Sequence, residues 1–153
     1  MKPYRRHLRS ADDLITLPQD IRAGFVALAL ERGRRATPYI TEGRALRVSA
    51  SNVSELILLK QIDRIQTALL TVAGVSDKAA GYFEDSDKSK AIDNLIAEFL
   101  EPAGAAFVEE VVYRFLLTRG DTLGGSMRNV GGLLALRKLA RYLIASLTNA
   151  GIP

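Results

Sequence analysis

The chain has 153 residues, 48% of them apolar and 25% charged, a balance that suits one soluble globular domain and excludes a disordered or fibrous chain. Cysteine is absent and histidine occurs once, as His7, which excludes disulfides, thiol catalysis, thiolate metal centres and a two-histidine zinc site. The net charge of +4 is unevenly spread: residues 1–47 carry ten bases against five acids, residues 48–118 six against eleven, and residues 119–153 five against one, so two basic zones flank an acidic middle.

Fifteen of the basic residues are arginine, whose planar fork suits phosphate and guanine, and this slightly raises the expectation of a nucleic-acid partner, with plain solvated surface charge an equal reading on composition alone. The N-terminal KPYRRHLRSADD places charges where a signal peptide has its apolar segment, and no apolar run approaches the ~18–20 residues of a membrane span. A cytoplasmic location is expected. His7, among these basic residues, reads as a bystander.

Segment 18–33, PQDIRAGFVALALERG, has the marks of a helix: proline at the start, an acid in the first turn, Arg32 near the end and Gly33 as a stop. Pro38 then opens a second expected helix, PYITEGRALRVSA, with Ile40, Ala45 and Val48 on one face. From Ser54, apolar residues at 58, 59, 62, 65, 69 and 72 keep to the helical period until Gly74. Ser76 begins a short helical turn, SDKAAGYF, and Asp87 is placed to cap the next helix, with a break at 84–87. Pro102 divides the next region into helices over 88–100 and 102–118. In the latter, Phe107, Val108, Val111, Val112, Phe115 and Leu116 form an apolar face wide enough for a central position. A last helix carries Leu133, Leu136, Ala140, Leu143 and Leu147 as a stripe, with Arg137, Lys138 and Arg141 on another face, and NAGIP ends it. Alternating strand patterns are nearly absent, so the expected fold is all-α: an irregular bundle of about six helices forming a single domain over 1–153.

Between the last two helices lies RGDTLGGSMRN, residues 119–129. Read as a loop, its glycines allow exposed amides to bind an anion, with Arg128 and Asn129 as side-chain donors and phosphate as the natural ligand. It is not a Walker loop, because Ser126 follows Gly125 where lysine belongs, and it is not a nucleophile elbow, because the final glycine is missing. The plainer reading makes Gly120 a helix stop and Asp121 or Ser126 an N-cap. Glu109 and Glu110 are paired carboxylates in an apolar helix, but Glu110 has Arg114 four residues on, which favours an ordinary ion pair. Glu84, Asp85 and Asp87 lack the pattern of a calcium loop. Nowhere is Asp or Glu followed two positions later by Lys, so the D/E-x-K signature of metal-dependent nucleases is missing and no catalytic or metal-binding residue is assigned.

The runs RAGFVALALERGRRATPYI at 22–40, AGVSDKA at 73–79, FLEPAG at 99–104 and FVEEVVYRFLLTRGDTLGGSMRN at 107–129 resemble the N-terminal half of the AvaI/BsoBI-like type II restriction endonucleases. The resemblance implies a helical part that helps to enclose duplex DNA, ahead of a nuclease core with P-D…(D/E)-x-K carboxylates that this chain lacks. The family implies a homodimer of roughly twice this length, a magnesium ion and cleavage at degenerate six-base C-Y-C-G-R-G sites. The chain is thus expected to be a fragment, or a divergent protein that kept the helical part. Lys78, in GVSDK, corresponds to a position from which the family reaches a base edge in the major groove. Asp121, Gly124, Gly125 and Ser126 match the glycine-rich motif without assigned roles, and Arg128 and Asn129 of the same motif are expected among the DNA-binding residues. On this reading Arg137, Lys138 and Arg141 suit backbone phosphates. The competing reading is a stand-alone helical protein-interaction module whose apolar faces form an interface.

Overall fold

A computed structural model describes residues 15–152, and every regular element among them is helical. His7 lies outside the described residues. The fold is all-α, as the patterns predict, but several boundaries differ.

Helix α1, Pro18–Ser51, is one helix where two are expected. Leu17 starts it by accepting hydrogen bonds from the amides of Asp20 (2.9 Å) and Ile21 (3.1 Å), with Pro18 at the first helical position. Gly33 does not stop it, because a glycine stop needs a left-handed backbone and Gly33 keeps a negative φ. Pro38 sits inside and removes one donor. The hydroxyls of Thr37 and Thr41 turn back onto the carbonyls of Gly33 and Thr37, each at 3.1 Å. Packing compensates beyond the proline: Gly43, Leu46, Ser49 and Ala50 are buried one turn after another.

The single helix expected over 54–73 divides into 3-10 turns at Leu56–Gln61 and Asp63–Ile65, followed by α2, Gln66–Val72. Leu56, Leu59, Ile62 and Ile65 recur at three residues, and a 3-10 turn stacks such positions on one side. Leu59 and Ile65 are buried there, with Leu56 and Ile62 packed against them. Gly74 ends α2 as predicted, at φ 86°. The amide of Val75 bonds to the Leu70 carbonyl (2.9 Å) and that of Gly74 to Thr71 (3.0 Å), the two bonds of a Schellman closure.

Ser76 caps the short α3, Asp77–Ala80, its Oγ accepting from the Ala79 amide at 3.2 Å. In α4, Asp85–Leu95, Asp87 is not the cap. It stands three residues in and its Oδ2 accepts from the Glu84 amide at 3.0 Å, while Glu84 takes the cap position. A π turn, Ile96–Leu100, and the one-turn α5, Glu101–Ala103, continue the same run. Pro102 is accommodated in that first turn, and the break falls at Gly104, whose φ of 56° and ψ of −124° suit only glycine.

Helix α6, Phe107–Asn149, is continuous for 43 residues. The expected loop at 119–129 is helical, as is the region expected to restart after it. A second Schellman closure ends α6 at NAGIP: Gly151 has φ 71°, and Ile152 bonds to the Leu147 carbonyl at 3.0 Å.

The chain falls into two compact units, Gly33–Gly124 and the combined Met1–Arg32 with Gly125–Pro153. The Gly33–Gly124 unit holds the main core. Leu46, Leu59, Leu69, Leu70, Ile92, Leu95, Leu100, Val111 and Phe115 are its principal buried side chains, so the wide face predicted for 107–118 is central. In the second unit Met127 and Tyr142 are buried, but α1 exposes Phe25 (68%) and Val26 (71%) and α6 exposes Leu136 (63%) and Ile144 (64%). The stripe predicted on the last helix is therefore present and largely uncovered within this chain. Among the described residues no helix is long and apolar enough to cross a membrane.

Candidate nucleic-acid interface

Lys78 is exposed in the first turn of α3, immediately after Asp77. A four-residue helix has no stability of its own. Three things hold this one in place: the Schellman closure before it, the apolar contacts of Val75 and Ala80 with the core, and an ion pair from α6. In that pair Arg119 Nη1 donates to Asp77 Oδ2 at 2.7 Å.

Arg119 itself has only 12% of its side chain exposed, against 64% for Asp77. Its guanidinium lies 5.4 Å from the Tyr39 ring centre and 5.5 Å from that of Phe115, within cation–π range of each. Glu42 approaches its Nε at 3.8 Å, an ion-pair distance too long for a hydrogen bond, and that buried nitrogen has no hydrogen-bond partner. Sequence reasoning places Arg119 at the start of a loop and misses this role. The signal is present in register: Val111, Phe115, Leu123 and Met127 are buried at intervals of four with one gap, and Arg119 occupies the vacant place in that ladder.

The glycine-rich motif cannot act as the anion-binding loop that its composition suggests. Residues 119–129 are helical, so their amides are spent on carbonyls one turn earlier and none is free to converge on a phosphate. Neither Gly120 as a stop nor Asp121 or Ser126 as an N-cap survives, since all three lie inside α6. Asp121, Arg128 and Asn129 are exposed there, whereas Gly124, Gly125 and Ser126 are half-buried. Arg128 folds back along its own helix, its Nη2 3.8 Å from where a Cβ on Gly125 would stand.

Arg137, Lys138 and Arg141 are exposed on α6. At about 100° per residue, Arg137 and Arg141 stand about 40° apart round the axis, whereas Arg128 is about half a turn away from Arg137. Arg137, Lys138 and Arg141 fall within about 6 Å along the helix axis, whereas Arg128 stands about 14 Å or more away along it. The ammonium of Lys138 lies 5.9 Å from the Tyr142 ring centre, a contact that leans it along the helix. These residues belong to the second unit, and Lys78, Asp121 and Gly124 to the Gly33–Gly124 unit.

Several carboxylates have structural partners. Glu110 Oε2 accepts from Arg114 Nε at 2.7 Å, and Arg114 covers the Phe99 ring at 4.1 Å, the ion pair that the i, i+4 spacing predicts. Asp93 pairs with Lys60, and Asp85 with Lys88 at 3.4 Å. Among the described residues no three Asp, Glu, His or Cys side chains gather as metal ligands.

The chain matches the family described as "Restriction endonuclease BsobI" over residues 4–153. It is 60% identical over 146 residues to a type II restriction enzyme AvaI of Nostoc sp. and equally to one of Anabaena variabilis, covering 95% of this chain and 46% of each relative. Against the type II restriction enzyme BsoBI of Geobacillus stearothermophilus the identity is 49% over 152 residues, covering 99% of this chain and 47% of the relative. The chain thus spans about half the length of the curated relatives it matches. The similarity runs through the segments that carry Lys78, Arg119 and the glycine-rich stretch of α6, and the chain belongs to the BsoBI restriction endonuclease family.

Proposed function

We propose that this chain is the helical, DNA-engaging portion of a type II restriction endonuclease that cleaves duplex DNA at a degenerate six-base site of the C-Y-C-G-R-G type. The observation that carries the reading is the match over residues 4–153, joined to an exposed Lys78 on a short helix anchored by Arg119. Lys78 donates to a guanine edge in the major groove, and Arg137, Lys138 and Arg141 neutralise backbone phosphates, with Arg128 and Asn129 as separate polar contacts. Magnesium and the carboxylates that hold it are supplied by a nuclease core corresponding to the relatives' remaining half. The uncovered apolar faces near Phe25 and Ile144 are buried against that core and across a homodimer, in the cytoplasm where the DNA is.

The same faces are the one observation that favours a protein-interaction module. Salt separates the two readings, because neutralising several phosphates makes DNA affinity fall steeply as salt rises. Competition between cognate and scrambled duplexes at two salt concentrations tests the proposal. A steep salt slope with preference for the C-Y-C-G-R-G duplex is the expected result. Absence of DNA binding by the full-length protein at low salt refutes it.

A further inference from the structure

We propose that Arg119 is a positioning residue for sequence recognition, acting through Asp77 to set the direction in which Lys78 leaves α3. The inference rests on the reading of Lys78 as a base-contacting residue. Asp77 and Lys78 are consecutive in a helix of four residues, so whatever fixes the azimuth of Asp77 fixes that of Lys78, about 100° further round. Arg119 does this from a rigid base. Its side chain is nearly buried, lies near two aromatic rings and occupies a core position of α6, 42 residues away from its partner in the sequence.

The asymmetry of the pair is informative. Asp77 is mostly in solvent, so the bridge adds little to folding stability. Its geometry, in contrast, is well defined: Nη1 meets Asp77 at 2.7 Å and the guanidinium lies by Tyr39 and Phe115, while Nε, 3.8 Å from Glu42, has no hydrogen-bond acceptor. A guanidinium held with one donor unsatisfied and its strongest contact on an exposed carboxylate is poorly explained by packing alone. It is well explained as a stay that keeps α3 from rotating. Lysine at 119 has no fork and replaces it incompletely.

The test is a double-mutant cycle in the full-length protein, with the ratio of cognate to scrambled duplex affinity as readout. Lys78→Ala is expected to lower that ratio on the order of tenfold or more, the worth of a good base contact. Arg119→Ala is expected to lower it about fivefold or more while scrambled binding changes less than about twofold, with Arg119→Lys in between. In the Lys78→Ala background Arg119→Ala should then cost nothing further. Should Arg119→Ala fail to fold, Asp77→Asn breaks the same bridge at its exposed end and is scored identically. Equal losses in the two backgrounds overturn the inference, because Arg119 then acts independently of Lys78. No loss from Arg119→Ala, with a loss from Lys78→Ala, overturns the positioning role and leaves the base contact standing. No loss from Lys78→Ala removes the base contact and the inference with it.

Discussion

Two exposed cations of this chain, Lys78 and Arg141, have opposite settings, and the difference predicts opposite phenotypes. Lys78 projects from a four-residue helix held by partners on other elements, and on the proposed reading it must reach one atom. Arg141 stands on a long helix beside Arg137 and Lys138, and on the proposed reading it meets a diffuse phosphate field by charge and not by aim. In the full-length protein, Lys78→Ala should cost about 1–3 kcal/mol on cognate DNA and little on scrambled DNA. Arg141→Ala should weaken the two alike and lower the salt slope by about one. Equilibrium titrations at two salt concentrations check this, and equal loss from Lys78→Ala on the two duplexes would remove its assignment. At the same scale Gly104 is a backbone requirement: nothing stands within 4 Å of its would-be Cβ, so the cost of Gly104→Ala is purely that of its dihedrals. That substitution should lower stability by about 1–3 kcal/mol in urea unfolding, and an unchanged midpoint would show that the turn relaxes.

Elements show what the pattern of residues settles and what it leaves open. Gly43 lies in the buried stripe of α1, and a Cβ there would meet Leu116 Cδ2 at 3.4 Å and Phe115 Cδ1 at 3.7 Å. Those are tight but ordinary contacts. Gly43→Ala should therefore be neutral or stabilise by up to about 1 kcal/mol, whereas Gly43→Leu overpacks the α1–α6 contact and should cost about 1–3 kcal/mol. Comparison of the two in thermal unfolding decides it, and a strongly destabilised alanine variant would contradict the geometry. The all-α class, the closures at Gly74 and Gly151, the Ser76 cap, the Glu110–Arg114 pair and the central face at 107–118 are all legible in the sequence, because each rests on neighbours within a turn. The failures come where tertiary packing overrides a local breaker. Gly33 and Pro38 stay helical while the turns beyond them bury Leu46 and Ala50, and residues 119–129 stay helical while Leu123 and Met127 extend the buried ladder. The 3-10 turns escape for another reason: apolar residues at 56, 59, 62 and 65 satisfy a period of three and nearly satisfy 3.6. Arg119 escapes notice because a charged side chain in an apolar register is read as the end of that register, and its partner, Asp77, lies 42 residues away.

At the scale of the whole molecule, a well-filled core in the Gly33–Gly124 unit contrasts with bare apolar side chains on the other unit. Apolar patches of that extent normally mark surfaces that something covers. The 153-residue chain alone is expected to self-associate or to bind hydrophobic dyes, and a monomer at high concentration without dye binding would speak for a complete surface. On the reading proposed above, the same chain should not cut DNA with magnesium, because phosphodiester hydrolysis of this type needs carboxylates that hold the ion and polarise water, and the sequence has no D/E-x-K motif. Site-specific cutting that a chelator abolishes would reverse that conclusion.

The uninterrupted course of α6 through Gly120, Gly124, Gly125, Gly131 and Gly132 also bears on time. Each glycine costs a helix roughly 1 kcal/mol relative to alanine, and four of the five have nothing near enough to their would-be Cβ to offset this with close packing. The middle of the helix is then its least persistent part, opening more often than the flanking turn around Val111 and Phe115, which the core clamps. Amide protons over 120–132 should exchange with solvent faster than those over 108–116, by about tenfold for every 1.4 kcal/mol of difference in opening free energy. Gly124→Ala should slow that exchange locally. Equal protection along α6 would mean that the glycines cost the helix nothing where they stand.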